Sequence, residues 1–231
     1  MIYYKRNLPH YQPEGYSFFI TSRLAGTLPK SVYNRIKYEY EMNLITLSAY
    51  RDQKIKKEKY SEIRYRKFIS YENILDSCKY SYKWLSEERI AKVVKDAIFY
   101  YENKRYELIA FTIMPNHIHL VIFPIVERKS SLARRIDLKP VSAEDQSESG
   151  DSLYIVTKIM QDLKKFTARE ANKILKRSGK FWQNESYDHV IRDKEELNRI
   201  VKYVMKNPVK GGLCKIPENW KWSYYNPKYL I

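Results

Sequence analysis

Runs of apolar and alternating positions predict four β-strands along the chain. The four segments are rich in β-branched and aromatic side chains and cover residues 16–22, 108–113, 117–123 and 187–192. The sequence Met-Pro-Asn at 114–116 is a turn signal between the second and third strands. Residues 108–123 are therefore predicted to form a β-hairpin.

Apolar residues spaced three and four positions apart predict helices between and after these strands. Ser31 is a candidate N-cap for a helix that runs to about residue 49, and Ser86 is a candidate N-cap for the next helix. Helical spacing returns near residue 156. Asp193 is a candidate N-cap for the last helix, which Pro208 is expected to end.

The order of these elements predicts the fold class. Without the helices that follow the first strand, the order is β-α-β-β-α-β and then a terminal helix, as in ferredoxin-like folds. We predict an α+β protein: a ferredoxin-like βαββαβ antiparallel sheet with helices on one face, a helical insert and a C-terminal tail. It is expected to form a single domain over residues 1–231, with a basic insert at about 30–86 and a flexible, serine-rich linker at about 127–151.

Positive charge is the strongest signal in the composition. Lysine and arginine number 43 against 27 acidic residues, for a net charge of +16, and there are 22 tyrosines and four tryptophans. Cationic side chains hold phosphates and aromatic rings stack on unpaired bases, so a nucleic-acid partner is expected. Residues 51–67 contain eight basic and three acidic residues. This segment fits a solvated helix face and a DNA-backbone contact equally well.

The same composition argues against a membrane or secreted protein. No run approaches the ~18 apolar residues that a membrane span needs, and the N-terminus lacks the apolar core of a signal peptide. Cys78 and Cys214 lie far apart, without the spacing of a metal site. We therefore expect a reduced protein of the cytoplasm.

His117 and His119 are the first candidates for chemistry. Because alternate residues of a strand share a face, the two imidazoles should project together while Ile118 points to the other face. Two adjacent imidazoles can hold one divalent cation. Because the motif is short, the plainer alternative is two histidines on a half-exposed strand face.

Tyr203 and Asn207 lie four residues apart on the last predicted helix, and so on one face of it. If that helix packs on the sheet, the Asn207 oxygen can reach a cation at the histidine pair, with Tyr203 beside it. A tyrosine near a cation suits phosphodiester transesterification, in which the phenol oxygen attacks phosphorus and a 3′-hydroxyl is released. A core tyrosine is the plainer interpretation of Tyr203, and Tyr187 is a competing nucleophile.

These motifs together resemble a known family. Residues 114–121 (MPNHIHLV) resemble the HUH motif of the IS200/IS605-like single-tyrosine transposases. Five further stretches resemble the REP-associated tyrosine transposase branch: residues 7–10 (NLPH), 24–29 (LAGTLP), 181–183 (FWQ), 187–192 (YDHVIR) and 203–210 (YVMKNPVK). Many relatives have glutamine where this chain has Asn207. The chain is also longer than compact insertion-sequence transposases.

The resemblance implies a metal-dependent single-stranded DNA endonuclease and strand transferase, which cleaves near hairpins through a covalent 5′-phosphotyrosine. It implies His117, His119 and Asn207 as ligands of Mg²⁺ or Mn²⁺, and Tyr203 as the nucleophile. The implied substrate is single-stranded DNA with palindromic hairpins in a bacterial cytoplasm. The implied protein is a monomer or a homodimer.

Two other functions stay open at the level of the sequence. One is a catalytically silent DNA-hairpin-binding protein of the same fold, and the other is a metal-dependent hydrolase without a covalent step. Five residues are candidate DNA contacts, with a basic surface or a structural role as the alternative: Lys164, Lys165, Arg169, His189 and Arg192.

Overall fold

An antiparallel sheet of five strands organises the chain. The computed structural model describes residues 3–5, 9–78, 82–126 and 154–229, so the linker predicted at about 127–151 lies outside the described residues. A separate two-stranded ribbon consists of β1 (Tyr3–Lys5) and β2 (Pro9–Tyr11). The strands of the main sheet are β3 (Ser17–Arg23), β4 (Tyr106–Ile113), β5 (His117–Pro124), β6 (Tyr187–Ile191) and β7 (Ser223–Tyr225). Their spatial order is β6-β3-β5-β4-β7.

Five α-helices accompany the sheet in the described part of the chain. They are α1 (Lys30–Thr46), α2 (Gln53–Ser77), α3 (Glu88–Tyr101), α4 (Ile155–Ile174) and α5 (Lys194–Lys210). Helices α1 and α2 lie between β3 and α3, in the segment for which a basic helical insert is predicted. The α+β prediction with its antiparallel βαββαβ order is confirmed. None of the described helices is both long enough and apolar enough to cross a bilayer.

The two faces of the sheet belong to different cores. Phe18, Ile20 and Leu120 pack with α3 and α4, so the two helices of the βαββαβ order share one face. Phe19 and Val121 point the other way and pack with α5. This division follows from the two-residue period of a strand, in which neighbouring side chains point to opposite faces.

Two predicted helix caps are wrong. Ser31 lies inside the first turn of α1, where Pro29 occupies the N-cap position and offers no side-chain acceptor. Ser86 lies in a 3₁₀ turn that delays α3, so that Glu87 becomes the N-cap residue, without a side-chain hydrogen bond.

The last helix begins as predicted but ends later. Asp193 caps α5, because its Oδ1 accepts a hydrogen bond from Glu196 N at 2.7 Å. Pro208 lies inside α5 and does not end it. The missing N–H of Pro208 falls near the C-terminus, and the backbone N–H of Gly211 still donates to the preceding turn at 2.8 Å. The helix therefore continues to Lys210.

Candidate active site

The histidine pair lies in the middle of the sheet, on the face that α5 covers. His117 and His119 of β5 are both fully buried, and Ile118 between them lies in the opposite core, as predicted. Thr21 of β3 and Thr112 of β4 flank His119 in register. Hydrogen-bonded strands therefore fix the backbone of the pair from both sides.

The Nδ1 atoms of the two rings have partners that set their orientation. His117 Nδ1 lies 2.6 Å from Asn116 Oδ1, and the same amide donates through Nδ2 to the Leu75 carbonyl at 2.8 Å. Since Asn116 Oδ1 can only accept, the proton of neutral His117 lies on Nδ1. His119 Nδ1 lies 3.0 Å from Thr21 Oγ1. The two Nε2 atoms then face each other at 3.1 Å.

The charge state of His117 suits a metal ligand. Burial, and next the neighbouring His119, lower the pKa of His117 to about 3, so its ring is neutral near pH 7. A neutral imidazole with its proton on Nδ1 has a free lone pair on Nε2. That lone pair points into the space between the two histidines.

Helix α5 brings Asn207 and Tyr203 to the same place. Asn207 Nδ2 lies 3.2 Å from His119 Nε2, and the Tyr203 and His119 ring centroids are 5.6 Å apart. Asn207 is 1% exposed, and its Oδ1 has no hydrogen-bond partner. Turning this amide by 180° exchanges its nitrogen and oxygen, which have nearly the same size. The side chain can therefore present an oxygen to the space that the histidine nitrogens share.

A buried carboxylate that the sequence analysis did not single out completes the cluster. Glu72, near the C-terminal end of α2, is 2% exposed. Its Oε2 accepts a hydrogen bond from the Tyr203 hydroxyl at 2.5 Å and lies 3.1 Å from His119 Nε2. One ligand atom from each of Glu72, His117 and His119 falls within 4.8 Å of the others. The helical insert thus reaches the centre of the site.

A second acid of α2, Asp76, lies one turn further along. Its Oδ1 is 3.8 Å from His117 Nε2, and its Oδ2 is 2.8 Å from the Lys210 ammonium. The Lys210 ammonium also donates a hydrogen bond to Asn73 Oδ1 at 2.9 Å. Its contact with Asp76 is an ion pair by distance, because neither Asp76 oxygen has a hydrogen-bond partner of good geometry among the described residues. Burial raises the pKa of Asp76 although Lys210 opposes the shift. Lys210 therefore balances Asp76 and leaves Glu72 without a lysine or arginine partner in the described residues.

The surroundings of Tyr203 keep its phenol neutral. Burial and the negative charge of Glu72 raise the pKa of Tyr203 far above its ordinary value of 10. For Glu72, burial works against ionisation, but the nearby His119 and His117 and the Tyr203 hydrogen bond outweigh it and lower the pKa. Attack by Tyr203 would therefore need a cation or a proton acceptor close to its oxygen.

The side chains fit a divalent cation. Imidazole nitrogens with carboxylate and amide oxygens suit Mn²⁺, and the oxygens also suit Mg²⁺. The four side chains that could hold such an ion are His117, His119, Glu72 and Asn207. The unpaired oxygen of Asn207 supports the fit, because buried polar atoms in proteins normally have a partner.

Three of the candidate DNA contacts lie on α4. The Lys164 ammonium donates to the Gln183 and Asn184 carbonyls at 2.9 and 3.2 Å, and burial lowers its pKa to about 7. Lys164 is therefore engaged by the backbone. Lys165 and Arg169 have exposed side chains, although Arg169 Nε also donates to Glu170 Oε1 at 2.7 Å.

The other two candidates lie on and after β6. His189 Nε2 lies 2.8 Å from Glu196 Oε1, and the backbone N–H of Arg192 donates to Glu196 Oε2 at 2.8 Å. The Arg192 side chain is exposed. Within the described part of the chain, no hydrogen bond or ion pair joins the five candidates to the cluster around Glu72.

Tyr187, the competing tyrosine, begins β6 and pairs in register with Thr21. Its ring stacks on Phe68 of α2 with centroids 5.1 Å apart, and burial raises the pKa of its phenol. Unlike Tyr203, it has no hydrogen bond to Glu72 or to the histidine pair among the described residues. The contacts therefore favour Tyr203 as the tyrosine of the site.

The sequence does contain a signal for Glu72, the carboxylate that was not predicted. Phe68, Glu72 and Leu75 occupy positions i, i+4 and i+7, so an acid lies on the apolar stripe of a helix that is otherwise highly charged. Acidic residues are rarely buried unless they have a partner. An acid at a core-facing position was therefore a sign of a partner inside the protein.

Comparisons with known proteins show which family the chain resembles. A protein of Haemophilus influenzae described as a REP-associated tyrosine transposase is 28% identical over 127 residues, which are 54% of this chain and 62% of that protein. The chain resembles the REP-associated tyrosine transposases. A second H. influenzae protein, which is uncharacterized, is 28% identical over 99 residues, or 43% of this chain and 52% of that protein. The chain thus matches less than two thirds of the length of these relatives, and no family model matches it.

A solved structure of a REP-associated tyrosine transposase bound to a REP hairpin is similar in fold. The TM-score is 0.51 at 15% sequence identity, and the match covers 95% of this chain and 82% of the other. This likeness confirms the HUH fold that the motifs imply. The resemblance to this transposase branch is confirmed by the sequence comparison.

Proposed function

We propose that this protein is a metal-dependent single-stranded DNA endonuclease and strand transferase of the REP-associated tyrosine transposase family. The observation that supports it most is the meeting of three elements at one carboxylate oxygen. Glu72 Oε2 of α2 accepts the Tyr203 hydroxyl of α5 at 2.5 Å and lies 3.1 Å from His119 Nε2 of β5. The proposed nucleophile, Tyr203, thus contacts the proposed metal-binding residues directly.

In the proposed reaction, Tyr203 Oη attacks the phosphorus of a DNA phosphodiester. The bond from phosphorus to the 3′-oxygen breaks and the departing oxygen takes a proton from water, which leaves a 5′-phosphotyrosine and a free 3′-hydroxyl. Glu72 already accepts the phenol hydrogen bond, so its carboxylate is placed to receive the proton. A divalent cation, when bound by His117, His119 and Asn207, supplies charge neutralisation at the phosphate oxygens. A second 3′-hydroxyl can later displace Tyr203 and rejoin the strand.

The proposed partner is DNA with a hairpin and a single-stranded flank. The net charge of +16 favours phosphate contacts, and the structural relative was solved with a REP hairpin. Lys165, Arg169 and Arg192 have exposed side chains for such contacts, whereas Lys164 and His189 are engaged within the protein. Such a DNA substrate would place the protein in the bacterial cytoplasm. The proposed oligomeric state is a monomer or a homodimer.

A catalytically silent hairpin-binding protein of the same fold is the second candidate. The observation that favours it is the raised pKa of Tyr203. Burial and the charge of Glu72 keep the phenol of Tyr203 in its neutral form. Such a protein would bind the same DNA but would form no covalent product.

The experiment that tests the function compares cleavage with binding in one double variant. We expect His117→Ala/His119→Ala to reduce Mn²⁺-dependent cleavage of a labelled hairpin with a single-stranded flank at least ~100-fold, because the transition-state charge loses its counter-ion. Hairpin affinity should stay within about threefold, with the same salt dependence, since phosphate contacts are made elsewhere. Cleavage that survives in the double variant would contradict the metal-dependent mechanism, and cleavage absent even in the native protein would favour the silent binder.

A further inference from the structure

The C-terminal half of α2 has a different character from its N-terminal half. The N-terminal part is exposed and highly charged, whereas Glu72 and Leu75 are almost fully buried. Phe68 holds this part of the helix against Phe19 and Tyr203, with ring centroids 5.7 and 6.1 Å apart. The packing of Phe68 therefore fixes this part of the helix at the site. The position of the helix, and not only the side-chain rotamer of Glu72, brings the carboxylate to the histidine pair.

The buried Glu72 carboxylate has no lysine or arginine partner among the described residues. Its contacts are the Tyr203 hydroxyl at 2.5 Å, His119 Nε2 at 3.1 Å, and the Thr21 hydroxyl at 3.4 Å from Oε1. Lys210 pairs with the neighbouring Asp76 instead. Buried charges in proteins are paired or coordinate metals.

A second, independent feature points to a cation at the same place. Asn207 is 1% exposed, and its Oδ1 has no partner, although the amide nitrogen lies 3.2 Å from His119 Nε2. Two imidazole Nε2 atoms, one carboxylate and one unpaired amide oxygen thus converge. One shared divalent cation would provide a partner for all four groups.

We propose that Glu72 is an anionic ligand of the divalent cation, supplied by the helical insert, and that it allows the cation to bind before DNA arrives. This inference rests on the proposed function of the site, since the cation is the one that function requires. His117, His119 and Asn207 alone are neutral, so without Glu72 they would depend on the scissile phosphate for negative charge. Because Glu72 Oε2 also accepts the Tyr203 hydroxyl, the insert would connect the metal and the nucleophile through one oxygen.

The test measures Mn²⁺ binding to the DNA-free, full-length protein by electron paramagnetic resonance of the free ion, with calorimetry as a second readout. We expect one Mn²⁺ per native chain. Glu72→Gln should weaken binding at least ~10-fold, since even partners that only orient a ligand change metal affinity by ~10–100-fold. Glu58→Gln is the matched control, because Glu58 is an exposed acid of the same helix and should leave the affinity unchanged.

The outcomes separate the inference from the proposed function. If His117→Ala/His119→Ala abolishes Mn²⁺ binding but Glu72→Gln leaves it at the native affinity, the inference is overturned, and Glu72 is an ion-pair partner of His119 while the metal site stands. Mn²⁺ binding only in the presence of DNA also overturns it. No Mn²⁺ binding together with no cleavage would instead contradict the proposed function.

A second variant keeps the test valid if the glutamine variant does not fold. Glu72→Asp retains the charge but withdraws the carboxylate by one methylene group, so Mn²⁺ should bind several-fold more weakly than to the native chain. Far-ultraviolet circular dichroism in chelator checks that each variant is folded. Native Mn²⁺ affinity in Glu72→Asp would overturn the assignment of Glu72 as a ligand. Native Mn²⁺ affinity in His117→Ala/His119→Ala would instead contradict the metal site of the proposed function.

Discussion

At the scale of single residues, the site depends on side chains that orient its ligands. Asn116 is an example, because one amide links the helical insert to the histidine pair. Its Oδ1 lies 2.6 Å from His117 Nδ1, and its Nδ2 donates to the Leu75 carbonyl at 2.8 Å. The residue was predicted only as part of a turn, but in the structure it is fully buried and sets the tautomer of His117, a proposed metal ligand.

We expect Asn116→Ala to weaken Mn²⁺ binding by about 10–100-fold and to lower the free energy of unfolding by about 1–3 kcal/mol. The reason is that His117 Nδ1 and the Leu75 carbonyl both lose a buried partner. Calorimetric titration with Mn²⁺ and urea unfolding in chelator give the two values. Asn34→Ala, at an exposed position of α1, is the control and should change stability by less than about 0.5 kcal/mol. Native Mn²⁺ affinity in Asn116→Ala would show that this amide does not orient the ligand.

At the scale of elements, the helical insert is the part of the molecule that sequence patterns describe least well. Helix α2 meets the sheet through an aromatic cluster in which Phe68 stacks on Tyr187 at 5.1 Å and packs edge-on against Phe19 at 5.7 Å. This contact positions Glu72 one turn later. The packing of one aromatic residue therefore determines whether a carboxylate reaches the site.

Phe68→Ala should lower the free energy of unfolding by about 2 kcal/mol, less than for a fully buried phenylalanine because Phe68 is only half-buried. It should also weaken Mn²⁺ binding, since Glu72 is no longer held against the sheet. Urea unfolding and Mn²⁺ titration measure the two effects. The matched control is Tyr65→Ala on the same helix, where the side chain is 63% exposed and the cost should stay under about 0.5 kcal/mol. Equal losses in the two variants would mean that the aromatic cluster does not anchor α2.

Local patterns were sufficient for most of the sheet and its helices. The two-residue alternation placed His117 and His119 on one face and Ile118 on the other, and the structure agrees. The cap at Asp193 was predicted correctly because its chemistry is local. Ser31 was not, because a preceding proline took the N-cap position.

The composition of the site was predictable only in part. The four-residue spacing of Tyr203 and Asn207 fixes them on one face of a helix, so their approach to the sheet follows from packing. Glu72 precedes His117 by 45 positions in sequence, and no local period connects the two. Only the tertiary contact of α2 with the sheet brings them together, which is why the carboxylate was missed.

At the scale of the whole molecule, the protein is strongly basic, but its buried site contains a carboxylate together with neutral groups that could bind a metal. The net charge of +16 favours a polyanionic partner, whereas the buried carboxylate of Glu72 places negative charge where a cation would bind. We propose Tyr203 as the nucleophile of this site.

The most direct measurement is a denaturing gel with labelled single-stranded hairpin DNA, Mn²⁺ and the native or variant protein, followed by mapping of the modified peptide. Tyr203→Phe removes the attacking oxygen but keeps the ring, so we expect folded protein, hairpin binding and no covalent adduct. Tyr187→Phe should keep at least part of the adduct, because Tyr187 has no hydrogen bond to the cluster in the described part of the chain. An adduct that persists in Tyr203→Phe and disappears in Tyr187→Phe would contradict the assignment.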